Sequence, residues 1–133
     1  MIATASPRSA GRISGYGADE VVDYTATPVA EAVTVPVDVV LHLVTEPADA
    51  LLGLLKPDGV FLTTTTPAPD GAAVRTVRMY LRSDAAQLAE LVAKVDAGTL
   101  DVYVGERRPL SDLAAVHEQA AAGKLAGKVV LVP

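Results

Sequence analysis

Residues 37–44 read Val-Asp-Val-Val-Leu-His-Leu-Val, the strongest β signal in this 133-residue chain. A nearly continuous branched apolar run of this kind belongs to a strand buried on both faces, as in a parallel sheet covered by helices. It predicts a central strand. Around it, apolar periodicity and turn chemistry give short β runs alternating with helices, the pattern of an α/β fold. Upstream, residues 2–5 form a β stub closed by Ser6-Pro7, where Ser6 can cap a helix whose first residue is Pro7. Gly11 and Gly15 weaken that helix by about 1 kcal/mol each relative to alanine, and Gly17 offers its stop. Residues 21–24 are the second β run, after which Thr27-Pro28 repeats the cap-then-proline start for a short helix to about Val33.

Downstream, Pro47 opens a helix carrying Leu51, Leu52, Leu54 and Leu55, and Lys56-Pro57-Asp58-Gly59 turns the chain into a strand from Val60 to about Thr65. Residues 67–73 are a loop, the threonines at 63–66 read as strand, and 74–81 form a further strand bearing Arg75 and Arg78, with Arg82 just past it. Ser83 caps the most regular helix. Leu88, Leu91, Val92 and Val95 follow its i, i+3, i+4, i+7 stripe, and Gly98 sits at its left-handed C-terminal cap. A second helix runs from a Ser111 cap to Gly123, and the chain ends in an apolar strand at 129–132. The length suits one domain with one core.

Composition narrows the function classes. The net charge is −5 and aromatics are few, one Phe, four Tyr and no Trp, which makes nucleic acid a poor partner. No stretch approaches the ~20 apolar residues of a membrane span. Residues 1–6 lack a secretory pattern, so the expected compartment is the cytoplasm. Without cysteine there are no disulfides or thiolate sites, and two histidines make a tight zinc site improbable. Ser14-Gly15-Tyr16-Gly17 resembles a phosphate loop but precedes a strand, the wrong order for one. Asp19, Glu20 and Asp23 crowd a turn and a strand start, too close for a spaced acid/base pair, and read as solvated.

GADEVVDY (17–24), VDVVLHLV (37–44), LLKPDGVFLTT (54–64), LAELVAKVDAG (88–98) and GKVVLVP (127–133), in that order, resemble the medium-chain dehydrogenase/reductase superfamily. The likeness is to its zinc-independent quinone oxidoreductase and enoyl reductase branch, and it runs from the second strand of the nucleotide-binding domain onward. It implies an incomplete Rossmann-like parallel sheet with helices on both faces. The first strand and its G-x-G-x-x-G turn, which seat the cofactor pyrophosphate, have no counterpart here. Residues 1–133 are then one truncated nucleotide-binding-type domain, whose segment 101–133 packs in the family partly on the catalytic domain.

The same resemblance assigns cofactor contacts. The end of the family's second strand reads the adenosine ribose, and Ser6, Arg8 and Arg12 there suit the 2′-phosphate of NADPH; Tyr24 matches a tyrosine near that phosphate. No catalytic residue carries over. His42 stands where the family has Asp, and Glu46-Pro47 where it has Gly-Gly. A histidine there can serve as a general base beside Asp38, Thr45 or Glu46, or simply end a strand on backbone hydrogen bonds. His117 matches a structural family histidine, and Arg107-Arg108 reads as a solvated turn.

Two functions fit these residues. One is the nucleotide-binding part of an NADPH-dependent quinone or enoyl reductase, not catalytically competent alone. The other is a free-standing non-redox small-molecule binding protein or isomerase/cyclase on the same fold, with His42 as its candidate catalytic residue. In the family's strand order, loss of the first strand separates 2–5 and 21–24 from the later strands. That leaves the run from Val37 as an apolar edge, and 102–104 and 129–132, which in the family pair with the absent domain, are likewise left unpaired; together these predict a homo-oligomer, a dimer first. The family's own dimer edge is the strand at 74–81.

Overall fold

The computed structural model describes residues 1–45, 48–65, 67 and 72–133. They divide into two compact units, Met1–Arg82 and Ser83–Pro133.

The first unit begins with β1 (Ile2–Ala5), α1 (Pro7–Gly15), β2 (Glu20–Asp23) and α2 (Val29–Ala32). β1 and β2 pair in parallel, Ile2 opposite Glu20 and Ala5 opposite Asp23. Ser6 is the N-cap of α1 and Pro7 its first residue, as the sequence predicts. The cap works through the main chain: the Ser6 carbonyl accepts from the N–H groups of Ser9 (2.9 Å) and Ala10 (3.1 Å), and the Ser6 hydroxyl makes no cap bond. Gly17, at φ +93°, ends the helix in a conformation L side chains avoid. At α2, Pro28 and not Thr27 takes the cap position, its carbonyl receiving Glu31 and Ala32.

β3 (Val37–His42), α3 (Asp49–Leu52), β4 (Leu55–Thr63) and β5 (Arg75–Arg78) come next. These three strands form a second parallel sheet, ordered β3-β4-β5, and among the described residues no strand joins it to β1-β2. The sheet is therefore interrupted where the sequence predicts. Phe61 on β4 is fully buried, and with Ala48 and Leu55 it forms the core, against which Val37, Val40, Leu51, Leu52 and Val74 pack.

Two expectations fail here. β3 is not buried on both faces: Val39 and Leu41 are 52% and 55% exposed, because β4 is its one pairing partner among the described residues and the core lies on the Val40–Phe61 side. Leu54 and Leu55 do not belong to a helix. Leu55 instead pairs with Val37, so Lys56-Pro57-Asp58-Gly59 lies within β4 as a bulge before Val39 meets Val60. Gly59 is required there, since an added Cβ would stand 2.9 Å from both Leu55 Cδ2 and the Lys56 carbonyl. Pro47 as a helix opener, Glu46, Thr66 and most of the loop from residue 67 lie outside the described residues.

The second unit holds α4 (Ala85–Asp96), β6 (Val104–Pro109), a 3₁₀ turn (Leu110–Asp112), α5 (Leu113–Ala121) and β7 (Lys128–Val132). The α4 cap is Asp84, not Ser83: its carboxylate accepts the Ala86 and Gln87 N–H groups at 3.1 Å. At the other end Gly98 (φ +69°) gives Gly98 N–H to Val95 and Thr99 N–H to Lys94, a Schellman closure. Asp112 precedes α5, with the predicted cap Ser111 inside the 3₁₀ turn.

β6 and β7 pair with each other in parallel, Val104 opposite Lys128 and Pro109 opposite Val132. This corrects the expectation that both are left unpaired: α5 is the crossover that brings them side by side. Arg107 and Arg108 consequently lie on a strand, not a turn, and Arg108 donates its Nε to Glu106 at 2.6 Å.

Candidate functional site

Parallel strands all point the same way, so the loops leaving their C-terminal ends gather at one end of the sheet, where α/β proteins bind ligands. Because Ala5 pairs with Asp23, the next residues, Ser6 and Tyr24, stand at neighbouring strand ends. Ser6 is half-buried with its hydroxyl unused in capping, and Tyr24 is half exposed. Arg8 lies exposed in the first turn of α1, and Arg12 one turn further on the same helix face, since positions four apart are neighbours. The structure thus brings Ser6, Arg8 and Tyr24 to one end and sets Arg12 about 6 Å along the helix.

The first turn of α1 carries no acidic residue. A cation at a helix N-terminus works against the macrodipole, by a few tenths of a kcal/mol when exposed, whereas an anion there is stabilised. Arg8 and the helix start therefore reinforce each other only toward an anion. One charge opposes it. Asp23 accepts from the Thr25 hydroxyl (2.6 Å) and the Thr25 N–H (2.9 Å), and these bonds, the hydroxyl's first, hold its carboxyl below the usual range and so ionised beside Tyr24.

The second place is the end of β3. His42 is 5% exposed, its ring 5.7 Å from that of Phe61, and it pairs in register with the fully buried Thr63. Its Nδ1 is buried and has no hydrogen-bond partner among the described residues. Of its three candidate neighbours, Asp38 is bound by Lys56 at 2.7 Å, an ion pair that holds the Asp38 carboxyl below its ordinary value. Thr45 is exposed, and Glu46 lies outside the described residues. The His42 carbonyl accepts from the Thr64 N–H at 3.3 Å, a main-chain bond that leaves the ring nitrogen unsatisfied. Thr63, hidden within a run of threonines, gave no separate signal in the sequence. His117 is exposed on α5.

Among the described residues no three His, Cys, Asp or Glu side chains group to hold a metal, and no helix is long and apolar enough to cross a membrane.

A family model described as zinc-binding dehydrogenase matches residues 16–131. No match was found among curated proteins. Among solved structures, the quinone oxidoreductase from Coxiella burnetii superposes with a TM-score of 0.81 at 23% identity, over 98% of this chain and 44% of that one. The quinone oxidoreductase of Pseudomonas syringae pv. Tomato DC3000 gives 0.78 at 24% identity, over 99% and 48%. Mycobacterial Rv1454c, complexed with NADPH, gives 0.74 at 25% identity, over 99% and 48%. The chain spans less than half the length of each of these structures.

Proposed function

Because this chain belongs to the zinc-binding dehydrogenase family, whose nucleotide-binding half it matches in fold, we propose that it is the nucleotide-binding part of an NADPH-dependent quinone or enoyl reductase. The supporting observation is the register of β1 and β2. It sets Ser6 and Tyr24 side by side at the start of a helix whose first turn bears Arg8 and no acid. Ser6, Arg8 and Tyr24 would meet the 2′-phosphate, and Arg12 would add charge from the next turn. The complex of Rv1454c with NADPH supports the choice of cofactor.

The donors present do not fit zinc. The chain has no cysteine and two histidines, His42 keeps its Nδ1 buried against the core, and among the described residues no three His, Cys, Asp or Glu side chains group. When bound, the nicotinamide would supply a hydride to a conjugated carbonyl, and this chain's residues would hold the adenosine end. The chain alone is accordingly a binding module and not a catalyst. The isomerase or cyclase alternative needs a reachable base, and the burial of His42 and the engagement of Asp38 by Lys56 favour the binding role.

Titration calorimetry with NADPH and NADH tests the proposal. NADPH should bind several-fold better, weakly in absolute terms because the contacts are exposed and Asp23 opposes them. The preference should shrink as salt shortens the Debye length below about 10 Å, and Arg8→Ala should remove most of it. Equal affinity for the two nucleotides, or none for either, refutes it.

A further inference from the structure

Asp23 is tied into the turn after β2 by four hydrogen bonds. Its carboxylate Oδ1 accepts from the Thr25 hydroxyl at 2.6 Å and the Thr25 N–H at 2.9 Å, and its carbonyl accepts from the N–H groups of Ala26 and Thr27 at 3.2 and 3.1 Å. Every one of these bonds spans Tyr24. An aspartate bonded to the N–H two residues on makes a turn of its own, and here it fixes the main chain on either side of the tyrosine before any ligand arrives. A half-exposed ring held in this way has less freedom to lose on binding.

The turn requires an oxygen from residue 23, not a charge, because a neutral amide oxygen accepts the same two bonds. The charge is a separate feature. Asp23 pairs in register with Ala5 on a strand ~4.8 Å away, which puts Ser6 one residue further along. Both Thr25 groups lie beyond the end of β2, so the carboxylate is drawn toward the strand end that Ser6 and Tyr24 share. Glu20, the other acid of β2, stands at its opposite end, about 10 Å back along the strand.

We propose that Asp23 determines how strongly this site prefers a 2′-phosphate: its oxygen positions Tyr24 through the turn, while its negative charge holds the affinity down. The inference rests on the reading that Ser6, Arg8 and Tyr24 receive that phosphate. A phosphate of charge about −2, held about 8 Å from the carboxylate in a water-like dielectric, loses about twofold in affinity at 0.1 M salt and about fourfold at 0.01 M. NADH carries no phosphate there and is repelled less. Asp23 is thus a brake on the phosphorylated nucleotide, built into the residue that also sets the tyrosine in place.

Calorimetric titration of the purified 133-residue chain with NADPH and NADH tests this. Asp23→Asn should tighten NADPH about twofold at 0.1 M salt and about fourfold at 0.01 M, and NADH by less, so that the ratio of the two affinities rises. Asp23→Ala, which loses the turn bonds together with the charge, should bind NADPH more weakly than Asp23→Asn. Glu20→Gln makes the same change in net charge at the far end of β2 and should leave both nucleotides unchanged at 0.1 M salt. Should Asp23→Asn fail to fold by its circular dichroism spectrum, Asp23→Ser, which also offers a neutral acceptor, takes its place. A wild-type preference for NADPH that Asp23→Asn does not raise, or that Glu20→Gln raises as much, overturns the inference and leaves the site standing. Equal NADPH affinities for Asp23→Ala and Asp23→Asn overturn it as well. A wild-type chain that binds the two nucleotides equally, or neither, removes the site and this inference with it.

Discussion

Replacing Phe61 by alanine should be among the most damaging single changes in the first unit. Phe61 is 0% exposed, lies on the middle strand of β3-β4-β5, and is the largest fully buried side chain among the described residues. Truncating a buried phenylalanine costs about 3–5 kcal/mol, the spread reflecting how far the surroundings collapse into the gap. From the sheet side collapse is blocked, because β4 is hydrogen-bonded on both edges and its register with Val40 and Thr76 is fixed. From the other side it is easier, since the covering element α3 has only four residues and Leu51 and Leu52 can move inward. The lower half of the range is therefore expected, about 3–4 kcal/mol. Against a total stability that for a chain of this size is about 7–20 kcal/mol, that is a large share. Urea titration followed by circular dichroism measures it. With m near 2 kcal/mol/M the midpoint should fall by roughly 1.5–2 M at unchanged m. A loss below about 1 kcal/mol would refute the placement of Phe61 at the centre of this core.

Four further outcomes are expected. Gly105→Ala drives a Cβ into the Ala126 carbonyl oxygen, a backbone atom that cannot swing away, and should lower the melting temperature by separating β6 from β7, whereas Gly11→Ala, with nothing within 4 Å and a helical backbone, should stabilise α1 by about 0.5–1 kcal/mol. Asp84→Ala removes the side-chain cap of α4 and should cost about 1 kcal/mol, seen as lost helical dichroism, while Ser83→Ala should change little. The carboxyls of Asp19, Asp23 and Asp38 are all held below the ordinary carboxylate value, by the N-terminal ammonium, the Thr25 hydroxyl and Lys56 in turn. Groups depressed in the folded state stabilise it above their unfolded value and lose that contribution as pH falls through the folded one. Urea midpoints should therefore be flat near neutrality and decline on acidification below about 4; a midpoint that rises there would contradict the three pairings.

Local signals carried much of the fold. Ser6-Pro7 marked the start of α1, Gly98 the end of α4, and the apolar run at 37 marked β3, because each depends on chemistry within a few residues. Pairing did not show itself so readily. Leu54 and Leu55 extend a helical leucine pattern, and only the distant Val37 reveals that Leu55 has entered a strand. Residues 102–104 and 129–132 looked orphaned because nothing local announces that β6 and β7 will take each other as partners. At the candidate site, the juxtaposition of Ser6 and Tyr24 comes from strand register, while the sequence pointed to them through resemblance. The burial of His42 was hidden for a different cause: its neighbour Phe61 is nineteen positions away, and an alternating strand pattern fixes which face a residue takes without saying how thickly that face is covered.

The bulge at Lys56-Pro57-Asp58-Gly59 makes this chain adjustable in length at one place. Between the pairs Val37–Leu55 and Val39–Val60, β3 advances two residues while β4 advances five, so the extra residues lie outside the ladder. Register beyond the bulge is held by Val39–Val60 and its successors, independently of how much chain loops out before them. Residues added between Pro57 and Asp58, both exposed, would enlarge the loop without turning any side chain of β4 to the opposite face, which a one-residue insertion elsewhere in the strand would do. Evolution and the protein engineer alike thus have a point inside a core strand where a peptide can be grafted, bounded on its far side by a glycine that has no room for a Cβ.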